Sequence, residues 1–234
     1  MRPVDAQRFK EIVRGKLIVS CQARPGTPLD HPLILAAMAQ AVEQGGAAAL
    51  RAAGAANIAA MRRVVKLPII GLHKRANREE TYITPLFEQA RELAEAGADL
   101  IAVQATSPRL GSCTPLPELI SRIQRELGLA VIADISTLRE AEAAAAAGAD
   151  LVATTLSGYT PHSPQQEGPD LELVAAIARR GIPVLAEGRY RTPQQAVEAL
   201  RRGALAVVVG TAITMPDYLT RHFVQHLEQA EEHS

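Results

Sequence analysis

Eight times along the chain, a short apolar run ends in a polar residue or glycine and gives way to a turn and a helix-like stretch. The runs are Leu17–Gln22, Ala47–Arg51, Pro68–Lys74, Leu100–Gln104, Ala130–Asp134, Leu151–Thr155, Pro183–Glu187 and Leu205–Gly210. Continuous apolar runs of this length are the signature of strands covered on both faces in a parallel sheet. A charge or amide at the C-terminal end of such a strand interrupts that pattern. In an eightfold β/α barrel the interruption has a meaning, because strand C-termini build the active site. Stretches rich in Ala, Leu, Glu and Arg predict helices over Leu33–Gln44, Ile58–Val65, Thr84–Ala96, Pro117–Leu127, Leu138–Ala147, Asp170–Arg180 and Thr192–Arg202. Thr137 with Glu140, and Thr192 followed by Pro193, have the form of helix N-caps. The expected fold is therefore α/β, a (β/α)8 TIM barrel formed as a single domain over residues 1–234. Met1–Arg14 is expected to be a helix capping the barrel bottom, and Asp217–Glu231 an extra amphipathic helix after the last strand.

A finer repeat lies inside this one. The second, fourth, sixth and eighth strands each follow a helix that ends in glycine, at Gln44-Gly-Gly46, Ala96-Gly-Ala-Asp99, Ala147-Gly-Ala-Asp150 and Arg202-Gly-Ala204. Glycine suits the left-handed conformation that closes a helix. The third, fifth and seventh strands open on Leu67-Pro68, Leu129-Ala130 and Ile182-Pro183 instead. The alternation predicts a two-strand, two-helix unit repeated four times. Two connections are long for this plan, Lys74–Thr84 and Thr155–Gly168, and long loops in a compact domain usually serve as lids or binding loops.

Composition narrows the partners. Lys plus Arg and Asp plus Glu both number 25, so there is no basic field to attract nucleic acid or anionic lipid. Aromatic residues make up 3% and Trp is absent, which disfavours base stacking. No apolar run approaches membrane-spanning length. Cys21 and Cys113 lack disulfide or metal spacing, and the N-terminal stretch is polar; both lead us to expect a cytoplasmic protein.

The strand ends then supply candidate chemistry. Lys74 follows an otherwise apolar strand. If partly desolvated and close to Arg51, its amine would be available as base or nucleophile. Glu187 sits between Ala186 and Gly188, small neighbours that leave room for a ligand; the competing use is an ion pair with Arg189 or Arg191. Gly188-Arg189 and Gly210-Thr211 end strands seven and eight, where barrels of the phosphosugar-binding type hold phosphate on loop amides. Asp134 could accept hydrogen bonds from substrate hydroxyls and Arg51 could stabilise an oxyanion, with a salt bridge within the rim as the alternative for each. Gln22 completes the mouth. His222 and His226 are spaced i, i+4 but have no third ligand, so no metal site is expected; His73 should point outward by strand alternation.

These motifs resemble the N-acetylmannosamine-6-phosphate 2-epimerases almost end to end: Gly45-Gly-Ala-Ala-Ala-Leu-Arg51, Leu67-Pro-Ile-Ile-Gly-Leu-His-Lys-Arg75, Thr81-Tyr-Ile-Thr-Pro85, Ala133-Asp-Ile-Ser-Thr137, Thr154-Thr-Leu-Ser-Gly-Tyr-Thr160 and Ala186-Glu-Gly-Arg189. The resemblance implies interconversion of N-acetylmannosamine 6-phosphate and N-acetylglucosamine 6-phosphate without a cofactor or metal, in sialic-acid and amino-sugar catabolism. It puts the catalytic lysine at Lys74 and the catalytic glutamate at Glu187. It puts substrate contacts at Arg51 and Asp134; the strand-end and loop positions add Gln22, Thr155, Gly158 and Tyr159 as expected substrate contacts, with the phosphate expected at Gly188, Arg189, Gly210 and Thr211. Two positions depart from the family pattern: Gln104 stands where Asp is common, and Met215 where Arg is common. A Schiff-base phosphosugar aldolase and a non-catalytic sugar-phosphate sensor are the rival readings. A homodimer formed through the final helix is expected from its apolar residues Leu219, Phe223, Val224 and Leu227.

Overall fold

The computed structural model describes residues 4–77 and 79–231. Eight parallel strands close into a barrel in sequence order: β1 Leu17–Ser20, β2 Ala49–Ala53, β3 Ile69–Leu72, β4 Leu100–Gln104, β5 Ala130–Asp134, β6 Leu151–Ala153, β7 Val184–Glu187 and β8 Ala206–Val209, with β8 pairing back to β1. Ten α-helices are described: α1 Ala6–Val13, α2 Pro32–Gln44, α3 Ala55–Arg62, α4 Phe87–Glu95, α5 Leu116–Arg122, α6 Leu138–Ala146, α7 Leu171–Arg179, α8 Pro193–Arg201, α9 Thr211–Thr214 and α10 Pro216–Glu231. A π-helical turn, Ile123–Leu127, extends α5 to the left-handed Gly128.

Strand alternation divides the apolar residues into two populations. Ile18, Ala49, Ile70, Leu100, Ile132, Leu151, Leu185 and Val208 fill the barrel interior. Their neighbours Val19, Leu50, Ile101 and Val131 face the helices on one side, and Ala133, Val152, Ala186 and Val207 do so on the other. Of the helix expected over Met1–Arg14, residues 1–3 lie outside the described residues; α1 closes the bottom, with Phe9 and Val13 fully buried in the interior cluster.

The glycine repeat has a direct structural cause. Gly46, Gly97, Gly148 and Gly203 take φ of +91°, +100°, +97° and +99°, one geometry used four times, each before an even-numbered strand. In two of these repeats the aspartate two residues later reaches back to the odd strand before it. Asp99 Oδ2 accepts from Ile69 N and Asp150 Oδ2 from Val131 N, at 2.9 and 2.8 Å. The expected caps also form, with Thr137 and Glu140, and Thr192 and Gln195, making reciprocal boxes.

Two helix starts differ from expectation by three residues. Helix α4 begins at Phe87 rather than Thr84, because Thr84 is held at φ +42° with its amide on His73 O, and Pro85 follows. Helix α3 starts three residues early, on Gly54 as N-cap. Helix α10 leaves Phe223, Val224 and Leu227 exposed. No helix among the described residues is long and apolar enough to cross a membrane.

Candidate active site

Counting by twos from the interior layer carries each strand to its terminal residue. Ile18 leads to Ser20 and Gln22, Ala49 to Arg51, Leu72 to Lys74, and Ala102 to Gln104. Ile132 leads to Asp134, Ala153 to Thr155, Leu185 to Glu187, and Val208 to Gly210. Every polar strand-end residue thus has interior parity, and the top layer of the barrel is polar where the layers beneath are aliphatic.

Four of these residues form one connected group. Arg51 is 1% exposed and Asp134 fully buried; they pair through two parallel contacts, Nη1–Oδ1 at 3.0 Å and Nη2–Oδ2 at 2.5 Å. Arg51 Nη1 also lies 3.0 Å from Glu187 Oε2. The Thr155 hydroxyl stands between the carboxyls, 2.8 Å from Asp134 Oδ1 and 2.9 Å from Glu187 Oε2. The neighbouring Thr154 hydroxyl fixes the backbone of Glu187, accepting from its amide and donating to its carbonyl. Burial is the largest influence on Glu187 and pushes its carboxyl above the ordinary range; Arg51, the Thr155 hydrogen bond and Lys74 pull against it, while Asp134 adds to it. Arg51, buried between two carboxyls, is held more firmly protonated than usual.

Of the two readings of Arg51 and Asp134, the structure shows the salt bridge within the rim, in the polar top layer of the barrel. Asp134 has no exposed surface, so its contact in this arrangement is with Arg51 and Thr155. Glu187 pairs with Arg51 rather than with Arg189 or Arg191. Lys74 is exposed; the desolvation expected of it is not supplied by the barrel wall. Its backbone forms an antiparallel bridge with Ile83, so the lysine opens a small β-clip in the loop that follows. Gln22 donates from Nε2 to Ser20 Oγ at 2.8 Å. Gln22 Oε1 and Arg51 Nε are buried and make no hydrogen bond among the described residues.

The β6 loop is organised by Arg189. This residue sits at φ +59° and donates from Nε to Gly168 O and from Nη1 to Ser157 O, both at 2.7 Å. Gly158 sits at φ +80°, a conformation strained for any side chain, and the Arg189 guanidinium occupies the space a Cβ would enter. Tyr159 is 62% exposed, with the Arg189 guanidinium 5.4 Å from its ring centroid. Arg189 thus straps the loop that carries Gly158 and Tyr159. Gly188, at φ +113°, and Gly210 end adjacent strands, with Thr211 opening α9 beside them.

Gln104 has a role that the sequence reading missed. Its Oε1 accepts from the amides of Tyr82 and Ile83, at 2.9 and 3.2 Å, while Nε2 donates to Thr106 Oγ1 at 2.8 Å. It closes the clip on Lys74 from the neighbouring strand. Its interior parity was the only available signal. Met215 lies at the junction of α9 and α10. Among the described residues, no group of three or more His, Cys, Asp or Glu is placed to hold a metal ion.

Comparisons with known proteins identify the family and the fold. The family model for N-acetylmannosamine-6-phosphate epimerase (NanE) matches residues 35–229. An N-acetylmannosamine-6-phosphate 2-epimerase of Caldanaerobacter subterraneus is 48% identical over 216 residues, covering 91% of each chain. The bifunctional NanE/NanK enzyme of Brucella melitensis is 50% identical over 226 residues; the match covers 95% of this chain and 43% of that one. The solved structure of the epimerase from Clostridium perfringens superposes with a TM-score of 0.89 at 42% identity, covering 93% of this chain and 95% of that one. A thiamine phosphate pyrophosphorylase from Pyrococcus furiosus, 17% identical with a TM-score of 0.58, shares the fold alone. This chain belongs to the N-acetylmannosamine-6-phosphate epimerase family.

Proposed function

We propose that this barrel interconverts N-acetylmannosamine 6-phosphate and N-acetylglucosamine 6-phosphate by removing and returning the proton on the carbon that bears the acetamido group. The observation that carries this reading is the convergence of Arg51, Lys74, Asp134, Thr155 and Glu187 from five strand ends onto one polar layer, in a chain of this family. The proton at that carbon is acidic only in the open-chain sugar, next to the aldehyde, where its loss gives an enediolate. Lys74, at the open rim, is the base; substrate entering above it supplies the desolvation that the wall does not. Glu187 faces the same space as the second acid–base group. Positioned groups of this kind contribute about 10²–10⁴-fold each. Arg51 places a fixed positive charge beneath the developing oxyanion, with Asp134 as its anchor, and a preorganised charge in a low-dielectric site is the larger contributor.

Gly188, Gly210 and Thr211 are assigned to the phosphate, with Arg189 shaping the loop beside them. The phosphate binding energy holds the distant reacting carbon in register. Gln22 and Arg51 carry the unpaired polar atoms suited to the sugar oxygens and acetamide. Incubation with N-acetylmannosamine 6-phosphate, followed by proton NMR, tests the reading through the appearance of the epimer. A borohydride-trapped adduct would indicate the aldolase chemistry instead, and saturable binding without turnover a sensor.

The same reading places the protein in the cytoplasm as a homodimer. Besides the exposed apolar face of α10, an apolar recess of about 410 Å³ lies over β8 and β1, lined by Leu17, Ala196, Val197, Leu200, Val209 and Ile213. Helix α10 does not cover this flank of its own barrel, and a second copy can do so.

A further inference from the structure

Taking the epimerase reading as its basis, we infer that Thr155 is a positioning residue that holds Glu187 as a carboxylic acid in the resting site, through the chain Glu187 Oε2–H to Thr155 Oγ1 and Thr155 Oγ1–H to Asp134 Oδ1.

Counting hydrogens leads to this assignment. Two carboxyl oxygens flank one hydroxyl at 2.8 and 2.9 Å, and a hydroxyl has one hydrogen to give. If both carboxyls were ionised, one of these short contacts would set lone pair against lone pair. A single added proton fills both contacts with hydrogen bonds. Asp134 is the poorer place for that proton, because both of its oxygens already accept from Arg51. Glu187 has one ionic contact with the same guanidinium, 3.0 Å away. A hydroxyl given to Glu187 alone would favour the ionised form; here Asp134 competes for the same hydrogen.

The groups facing Glu187 are Arg51 from β2, Lys74 after β3, Asp134 from β5 and Thr155 after β6. Burial, the largest influence, and Asp134 favour its acid; Arg51, a hydrogen bond donated by Thr155, and Lys74 favour its anion, and the Thr155 contribution is withdrawn when its hydrogen goes to Asp134 instead. The functional consequence is a division of labour. Lys74 takes the proton from carbon and becomes an ammonium. Glu187, already protonated, has a proton to give to the sugar oxygen or to the opposite face of the planar carbon, and becomes a carboxylate. Passage of a proton from Lys74 back to Glu187 restores the starting state. When Glu187 ionises, the Thr155 hydrogen turns from Asp134 to Glu187, so a single rotor serves both states.

Two measurements test this, and the first needs no turnover. Infrared spectroscopy at about pH 7 should show a protonated-carboxyl stretch that is missing from Glu187→Gln, and this band should titrate at lower pH in Thr155→Val than in the wild type. The second is the pH profile of kcat/KM. The Thr155→Val change removes the hydroxyl at nearly constant volume. It should lower kcat about 10- to 100-fold with little change in KM, and move the alkaline limb down by about one pH unit. Thr155→Ser should restore both. Absence of a Glu187-dependent band at neutral pH, an unmoved or upward-moving alkaline limb, or failure of serine to rescue would overturn the assignment. If Thr155→Val does not fold, the wild-type and Glu187→Gln spectra decide it. The epimerase reading fails by a different result, the lack of epimer formation by the wild type.

Discussion

Replacing Arg51 with methionine removes the one cation that two buried carboxyls share. Methionine keeps much of the aliphatic volume, so the loss is mainly of charge and hydrogen bonds. Arg51 is 1% exposed and Asp134 0%, so the Asp134 carboxyl has no solvent contact to fall back on, whereas Glu187, 13% exposed, keeps a little. Breaking a buried pair in this way costs about 3–5 kcal/mol. For a chain of this size each kcal/mol lowers Tm by about 2–4 °C, so the expected loss is about 6–20 °C. The pH dependence has a definite sign. The Glu187 carboxyl is already raised in the folded state. Its neutral form therefore contributes stability below the ordinary carboxylate range, and that contribution is lost as pH rises through the folded value. Arg51 is the strongest influence holding this value down. Without it the carboxyl moves higher, and the variant loses more stability than the wild type as pH rises. Thermal unfolding followed by circular dichroism should show a small Tm deficit at about pH 5 and a large one at about pH 8. A deficit that is equal at both, or larger in acid, would refute the reasoning.

Two further predictions concern the clip and the last helix. Gln104→Leu leaves the Tyr82 and Ile83 amides without their acceptor, at about 1–3 kcal/mol for each buried group; it should sharply increase proteolytic cleavage within 75–82 and lower kcat/KM. Gln104→Glu, which keeps the acceptor, should cleave much as the wild type does. Multi-angle light scattering at micromolar concentration should give twice the chain mass for the wild type and a single chain mass for Phe223→Glu. A monomeric wild type would refute the α10-mediated dimer.

The barrel was legible in the sequence because two periodicities agree. Apolar runs of strand length recur at βα spacing, and the four helix-closing glycines mark alternate strands with one φ geometry. The polar layer at the strand ends was legible for a related reason: a polar residue at the interior parity of a buried strand has no other direction to face. Pairings across the barrel were not legible. Arg51 and Asp134 are 83 positions apart, and only barrel closure and the register of β2 and β5 bring the guanidinium onto the carboxylate. Arg189 illustrates the same limit. Its neighbours suggested a phosphate ligand, whereas its positive φ aims the side chain at carbonyls of the preceding loop. Gln104 looked like a departure in the substrate layer, yet its amide is occupied with the backbone of the neighbouring loop, a contact with no local sequence signal. The exposure of Lys74 also depends on how the clip folds back, which strand periodicity does not encode.

The central claim is proton exchange at the carbon bearing the acetamido group, with Lys74 as the base. Turnover of N-acetylmannosamine 6-phosphate in D₂O, followed by NMR, tests it most directly. The account predicts deuterium at that carbon in the product, with both exchange and product abolished in Lys74→Ala. Product formed without deuterium, or exchange that persists in Lys74→Ala, would contradict it.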